Sequence, residues 1–305
     1  MRVALSPFRT QRSLAARRER GGRARRKRAL YWGFIYAAAT AVASVVLAPF
    51  VWLLISSVAD PRDLLARPLR WIPEHVSFAR YSSIFVGGMS DTADTFRAAL
   101  VNSVIIAGSS VLISLTVGIF GAYATARLRF PGRRVGLVLM LSTYMLPPIA
   151  IVVPLYLTMV QLHLLDTRIG LIVVYCSFIT PFTLWIMSGY FRSIPRELED
   201  AARVDGCSRL GALVRVTLPL AWPGILTTAL FGFLLAWDEF LYALIFTSST
   251  QAKTIPVAIT EFTGRFAVDF GMIATGGVLA SIPPLFIAFV FQRYIVGGLS
   301  AGAIK

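Results

Sequence analysis

Two places in this chain hold side chains able to do chemistry. One is the run RELEDAARVDG, residues 196–206, in which six of eleven residues are charged although apolar stretches of membrane length flank it. The other is Asp238-Glu239, an acidic pair inside such a stretch. An acid at the centre of a membrane span costs about 2.5–3.5 kcal/mol on insertion scales, so such groups face a cavity or a partner. Three uses compete for the pair. It can line a solute path, where carboxylates accept hydrogen bonds from hydroxyls; it can brace the bundle; or it can carry protons in a secondary transporter. Adjacent helical residues point about 100° apart, so the two carboxylates cannot serve one small site equally. Trp237, Phe240 and Tyr242 flank them and could stack on sugar faces, although aromatic residues in spans more often pack or anchor.

Catalysis by the chain itself has no support. A phosphate-binding loop of the Walker type needs Gly directly before Lys, whereas Lys27, Lys253 and Lys305 follow Arg, Ala and Ile. HExxH and CxxC are absent from the sequence. His75 and His163 have no metal-ligand spacing with Cys176 or Cys207. No catalytic residue, no metal site and no cofactor bound by this chain are therefore expected.

The elements that position these residues are membrane spans. Of 305 residues 56% are hydrophobic and 15% charged, against about 25% charged in soluble domains. Six stretches reach the length of roughly 20 residues that crosses a bilayer: 29–58, 98–125, 135–160, 168–190, 221–247 and 272–296. Pro147, Pro148 and Pro154 in the third and Pro181 in the fourth predict bends. With the N-terminus inside, the inner side collects 22 basic residues and the outer side eight, so both termini and the charged run are predicted to be cytoplasmic. Eleven of the inner 22 lie in residues 1–28, where Glu19 is the only acid. That tail reads as a topology signal touching anionic lipid rather than a nucleic-acid arm or a cleaved signal peptide. The loop 59–97 contains RWIPEHVSFARYSSIF and predicts a short interfacial helix.

Local signals divide the charged interruption, 191–220, into two short helices. Ser193 is expected to cap the first, with Pro195 in its first turn and Glu197, Glu199 and Asp200 at its positive end. Leu198, Ala201, Ala202 and Asp205 fall on one narrow face, flat enough for another surface to approach. Arg196–Asp200 and Glu199–Arg203 are spaced as exposed ion pairs. Gly206 stands where a left-handed turn would end the helix; Ser208 would cap the second helix, and Pro219 would end it.

This stretch resembles the EAA loop of permease subunits of bacterial ABC importers. Asp200-Ala201-Ala202, three residues, Gly206, nine residues and Val216-Thr217-Leu218-Pro219 keep the spacing, with Asp for the leading Glu and Val for Ile. LLAWDEFLYALIFTSS, KTIPVAITEF, FQRYIVGGLSAGAIK and LVNSVIIA resemble the carbohydrate-importer branch, similar to the second permease of maltose and glycerol-phosphate systems. That branch commonly has Asn where Asp238 stands, and the likeness covers about residues 30–305. It implies an all-α polytopic protein of six transmembrane helices with a cytoplasmic coupling helix between the fourth and fifth spans. The implied layout is a basic tail 1–28, a permease domain 29–296 with coupling loop 191–220, and a C-terminal tail 297–305. Contact with an ATPase would fall to Glu199, Asp200, Ala201, Ala202, Asp205, Gly206, Leu218 and Pro219. Asn102, Trp237, Asp238, Glu239, Phe240 and Tyr242 are the candidates for solute path or bracing. Implied partners are a second homologous permease, a dimer of ATP-binding subunits holding ATP and magnesium, an extracytoplasmic solute-binding protein and membrane lipid, with no nucleic acid. The C-terminal tail would reach between the ATPase subunits. The place implied is the bacterial inner membrane, and the function is import of a sugar or sugar-like solute; the alternative is proton-coupled transport through Asp238 and Glu239.

Overall fold

The computed structural model describes residues 8–68, 70–86, 91–263 and 268–301. All named elements among them are helical, and only two isolated β-bridges occur, Ala59 with Val76 and Thr263 with Val268. Two units are resolved, one ending at Ile55 and one starting at Ser56. The first is built from helix α1 (Phe8–Val58), which continues into the second and whose apolar part, Leu30–Val58, has the length of a span.

Four more helices of the second unit are long and apolar enough to cross a membrane: α4 (Asp91–Arg127), α7 (Arg168–Ser193), α10 (Leu218–Trp237, helical from Arg209 onward) and α13 (Phe270–Ala301). The third predicted span is not one rod. Helix α5 (Arg133–Ser142) and a 3-10 turn, Thr143–Met145, meet α6 (Pro148–Gln161) at 100°. Pro147 and Pro148 remove two successive amide donors there, and Leu146 is extended. Among the described residues, five helices are thus long and apolar enough to cross a membrane, or six if the bent pair is one span. Pro181, by contrast, lies inside the continuous α7.

Helix α4 packs chiefly on α7, and α10 lies against both and against α13. Lipid gives apolar side chains no reason to prefer another helix, so close approach through small residues decides the packing. A Cβ on Gly118 of α4 would stand 2.5 Å from Thr183 Cγ2 of α7, and one on Gly224 of α10 would stand 2.5 Å from the Tyr190 ring. One core, around Phe96, Ile106, Tyr175 and Trp237, fills the end of the bundle where α4 begins. A second, around Tyr123, Phe191, Leu213 and Ala221, fills the end where α7 stops.

The loop predicted to carry an interfacial helix has two helices, α2 (Pro61–Leu64) and α3 (Ala79–Val86). It is tied to itself and to the bundle. Buried Asp63 accepts from the Glu74 amide at 3.1 Å and from Arg70 Nη1 at 3.2 Å. Arg80 Nη1 donates to the Ala59 carbonyl at 2.7 Å, and Thr275 Oγ1 of α13 donates to the Ser57 carbonyl at 3.2 Å. At the other end α13 stays helical through Ala301, so the predicted tail from 297 begins as helix; its last residues, 302–305, lie outside those described, as do residues 1–7 of the basic segment.

Candidate functional site

The charged run forms helix α8 (Arg196–Val204), and its end is the one the sequence indicates. Gly206 has φ +90°. The Cys207 amide reaches the Ala202 carbonyl at 3.0 Å and the Gly206 amide reaches Arg203 at 3.1 Å, the paired closure of a left-handed helix stop. Ser208 caps α9 (Arg209–Ala212) by accepting from the Gly211 amide at 3.1 Å.

Several expectations are corrected here. Ser193 is the last residue of α7, its hydroxyl turned back to the Tyr190 carbonyl; Pro195 occupies the cap position of α8 without a side-chain bond. The ion pairs are re-partnered. Arg203 meets Asp200 at 3.5 Å, and Arg196 donates to the Ala126 carbonyl at 3.1 Å. Glu199 turns inward, with Arg127 Nε at 2.7 Å from its Oε1, Thr217 Oγ1 at 2.9 Å from the same oxygen, and the Tyr123 hydroxyl at 3.2 Å from Oε2. Local spacing cannot reveal this, because Arg127 lies 72 residues earlier and offers a desolvated partner. Pro219 does not end the second helix. The five residues Leu213–Thr217 widen into a π turn, which makes room for a proline ring that cannot donate to the preceding turn, and the helix runs on into α10.

These contacts fix what α8 presents outward. Leu198, Ala201 and Asp205 are exposed and Ala202 is half-buried, while Glu199 on the other side is 7% exposed. Asp200 and Gly206 are exposed too. Leu218 packs beside the second core and Pro219 is exposed. Arg127, Tyr123 and Thr217 are the residues that sequence reasoning missed; Arg127 was visible only as one charge among four in RLRFPGRR.

The fifth predicted span breaks at the acidic pair. Helix α10 stops at Trp237, and α11 (Leu241–Phe246) starts after Phe240. Glu239 spans the break: its Oε1 accepts from the Tyr242 amide at 2.9 Å, and its Oε2 from the Ala243 amide at 3.1 Å and from the Tyr175 hydroxyl at 2.9 Å. Both oxygens are thus engaged by amides of α11, and Oε2 also by the Tyr175 hydroxyl of α7. Asp238 is exposed. Trp237 is buried, stacked on Phe233 at 5.3 Å, with Nε1 donating to the Ala280 carbonyl at 3.1 Å. Tyr242 stacks on Phe178 at 6.3 Å, and Phe240 is partly exposed.

Asn102 is far from this break in role. Wholly buried, it donates to the carbonyls of Thr250 and Lys253 at 2.9 Å each and accepts from Arg168 Nε at 2.8 Å. It fastens the loop after α11 to α4 and α7, leaving no polar atom for a solute. The neighbouring Ser103 accepts from the Ile255 amide at 2.8 Å, at the start of α12 (Ile255–Thr260).

What remains open beside Glu239 is a cavity of about 340 Å³. It lies between the break in α5–α6 and the break in α10–α11, lined by Thr143, Tyr144, Ser177, Phe178, Glu239 and Tyr242. Among the described residues no group of His, Cys, Asp and Glu could hold a metal ion.

Residues 114–300 match the family described as binding-protein-dependent transport system inner membrane component. The chain is 38% identical over 281 residues to the trehalose transport system permease protein SugB of Mycobacterium tuberculosis, covering 92% of this chain and 98% of that one. It is 35% identical to the trehalose/maltose transport system permease protein MalG of Thermococcus litoralis, over 87% of this chain and 93% of that one. Among solved structures, a bacterial ABC transporter involved in import of the acidic polysaccharide alginate has a chain with the same fold, at a TM-score of 0.72 and 24% identity, covering 86% of this chain and 96% of that one.

Proposed function

Because this chain belongs to the family of binding-protein-dependent transport inner membrane components, the permeases of ABC importers, we propose that it is the permease subunit of an ATP-driven importer for a sugar or sugar-like solute. The observation that carries the coupling part of this reading is the orientation of α8. Its inner side is locked by Glu199 and Arg127, its end is set by Gly206, and its small-residue face is left outward. Such a face fits the groove of a cytoplasmic ATP-binding subunit, two copies of which would hold ATP and magnesium. A second, homologous permease would complete the pathway, and an extracytoplasmic binding protein would deliver the solute. Closure of the ATPase pair would push on α8 and, through Glu199, on α4. Both termini would be cytoplasmic, on the side of α8, with six spans counting the bent pair as one.

The sugar assignment rests on the relatives, whose names specify trehalose and maltose. The cavity between the two helix breaks supports it chemically, since hydroxyls of Thr143 and Ser177 and the rings of Tyr144 and Tyr242 offer polar and stacking contacts together. Proton coupling through Glu239 is disfavoured by the three hydrogen bonds that occupy its carboxylate.

The deciding experiment is a detergent pull-down of the tagged chain beside a variant carrying Ala201→Arg and Ala202→Arg. An ATP-binding subunit and a second permease should accompany the native chain, and the variant should lose the ATP-binding subunit alone. A chain that purifies by itself and transports in liposomes under a pH gradient would overturn the reading.

A further inference from the structure

Behind α8, on the side away from its outward face, lies a cavity of about 500 Å³ that no step of the coupling reading uses. Five arginines line it: Arg127, Arg129, Arg196, Arg203 and Arg209. At 100° per residue, the lining positions 196, 199, 200 and 203 lie across α8 from Leu198, Ala201, Ala202 and Asp205. The two acids in the lining do not balance the charge. Glu199 is committed to Arg127, and Asp200 meets Arg203. Arg196 donates to a backbone carbonyl, and among the described residues neither Arg129 nor Arg209 has a carboxylate partner. Three guanidinium groups therefore share one concave space without counter-charge.

Guanidinium forks match phosphate oxygens in pairs, and a cavity of this size admits a lipid headgroup. Its position favours lipid over a soluble anion. The cavity opens where α4, a membrane-length helix, ends, and Phe130 at its lining is 44% exposed. Helix α5 starts three residues further on and carries Val135, Val138 and Leu139, exposed at i, i+3 and i+4 as one apolar stripe. A phosphodiester in the arginine cavity could thus continue into acyl chains along α5. We propose that this cavity binds the phosphate headgroup of an anionic phospholipid and wedges it between α8 and the segment 127–130. The bound lipid would hold the back of α8 at a fixed distance from α4, making the stiffness of the docking element depend on membrane composition.

The test titrates the full-length chain in detergent with dioctanoyl phosphatidylglycerol, dioctanoyl phosphatidylcholine and inorganic phosphate, read by native mass spectrometry. Phosphatidylglycerol should bind in preference to phosphatidylcholine. The double variant Arg129→Gln/Arg209→Gln should weaken it roughly thirtyfold, given about 1 kcal/mol for each basic residue near an anionic headgroup. Arg129→Lys/Arg209→Lys, which keeps both charges, should retain most of the binding and so separates a lost site from a misfolded one. Arg134→Gln, an exposed arginine outside the cavity, should change nothing. Equal binding of the two lipids, or equal weakening by Arg134→Gln, overturns the proposal. Inorganic phosphate binding as tightly as phosphatidylglycerol overturns the lipid assignment in favour of a soluble anion. The readout involves no transport, so it stands or falls separately from the importer reading.

Discussion

At the scale of single residues, Gly206 and Glu199 show what a sequence can and cannot disclose. The left-handed turn at Gly206 is legible because a backbone conformation of one residue selects one residue type. No heavy atom stands within 4 Å of a Cβ built there, so a substitution meets only backbone strain. Gly206→Val should leave the chain inserted at a cost of at least about 1–2 kcal/mol, while shifting the direction in which α8 leaves the turn. We expect ATP hydrolysis in the assembled transporter to lose its dependence on solute and binding protein, whereas Gly206→Asn, which tolerates positive φ, stays near wild type. Side-by-side ATPase and uptake assays in liposomes check this, and coupled uptake by the valine variant would remove Gly206 from the mechanism. The inward turn of Glu199 was not legible. Its charge and spacing fit an exposed pair with Arg203 as well as a buried pair with Arg127, and only the fold brings the buried partner near.

At the scale of elements, the spans follow from length and apolarity, but their interruptions follow from local accounting of hydrogen bonds. Two prolines foretell the break between α5 and α6. The break at Asp238 contains no proline and is held by Glu239, which supplies to α11 the acceptors that a continuous helix would have supplied. Replacing Glu239 by Ala strands two amides and the Tyr175 hydroxyl, and should destabilise by about 1–2 kcal/mol, as lost caps do. Glu239→Gln keeps one carbonyl acceptor, so it should unfold between the two and still transport. Abolished transport by the glutamine variant at unchanged thermal stability would instead revive a proton-carrying role. A second brace titrates. Asp166, between α6 and α7, accepts from the amides of Ser248 and Ser249 at 3.0 Å each. Burial pushes its carboxyl up, but those bonds outweigh it and leave the group below its ordinary value. Its stabilisation is therefore present above the unfolded value near about 4 and is lost as pH falls through the lowered one. Thermal unfolding in detergent between pH 6 and 3 should show that loss in the native chain and not in Asp166→Asn.

At the scale of the whole second unit, the contacts form a route from one end to the other. The outward face of α8 is backed by Glu199, Glu199 is held by Arg127 and Tyr123 of α4, and α4 packs along α7. Helix α7 carries Tyr175, which holds Glu239 at the second break. Were the Arg127–Glu199 pair merely a stabiliser, removing both charges would matter little. Buried pairs are often replaceable by apolar residues, while deleting one partner costs roughly 3–5 kcal/mol. The side chains are 5% and 9% exposed, so this logic applies to them. Arg127→Met or Glu199→Met alone should lower stability by about that amount, and the double variant should recover most of it, with the Thr217 and Tyr123 hydroxyls falling back on the carbonyls of Ala212 and Arg209. Transport should not recover in parallel. Methionine side chains slide where a charge-assisted bond resists, so α8 could shift without moving α4. A double-mutant cycle on unfolding, run beside uptake and ATPase assays, separates the two outcomes. Restored stability with hydrolysis uncoupled from uptake makes the pair the mechanical link between docking face and bundle; restored stability with full uptake would mean that the force travels through the helix ends alone.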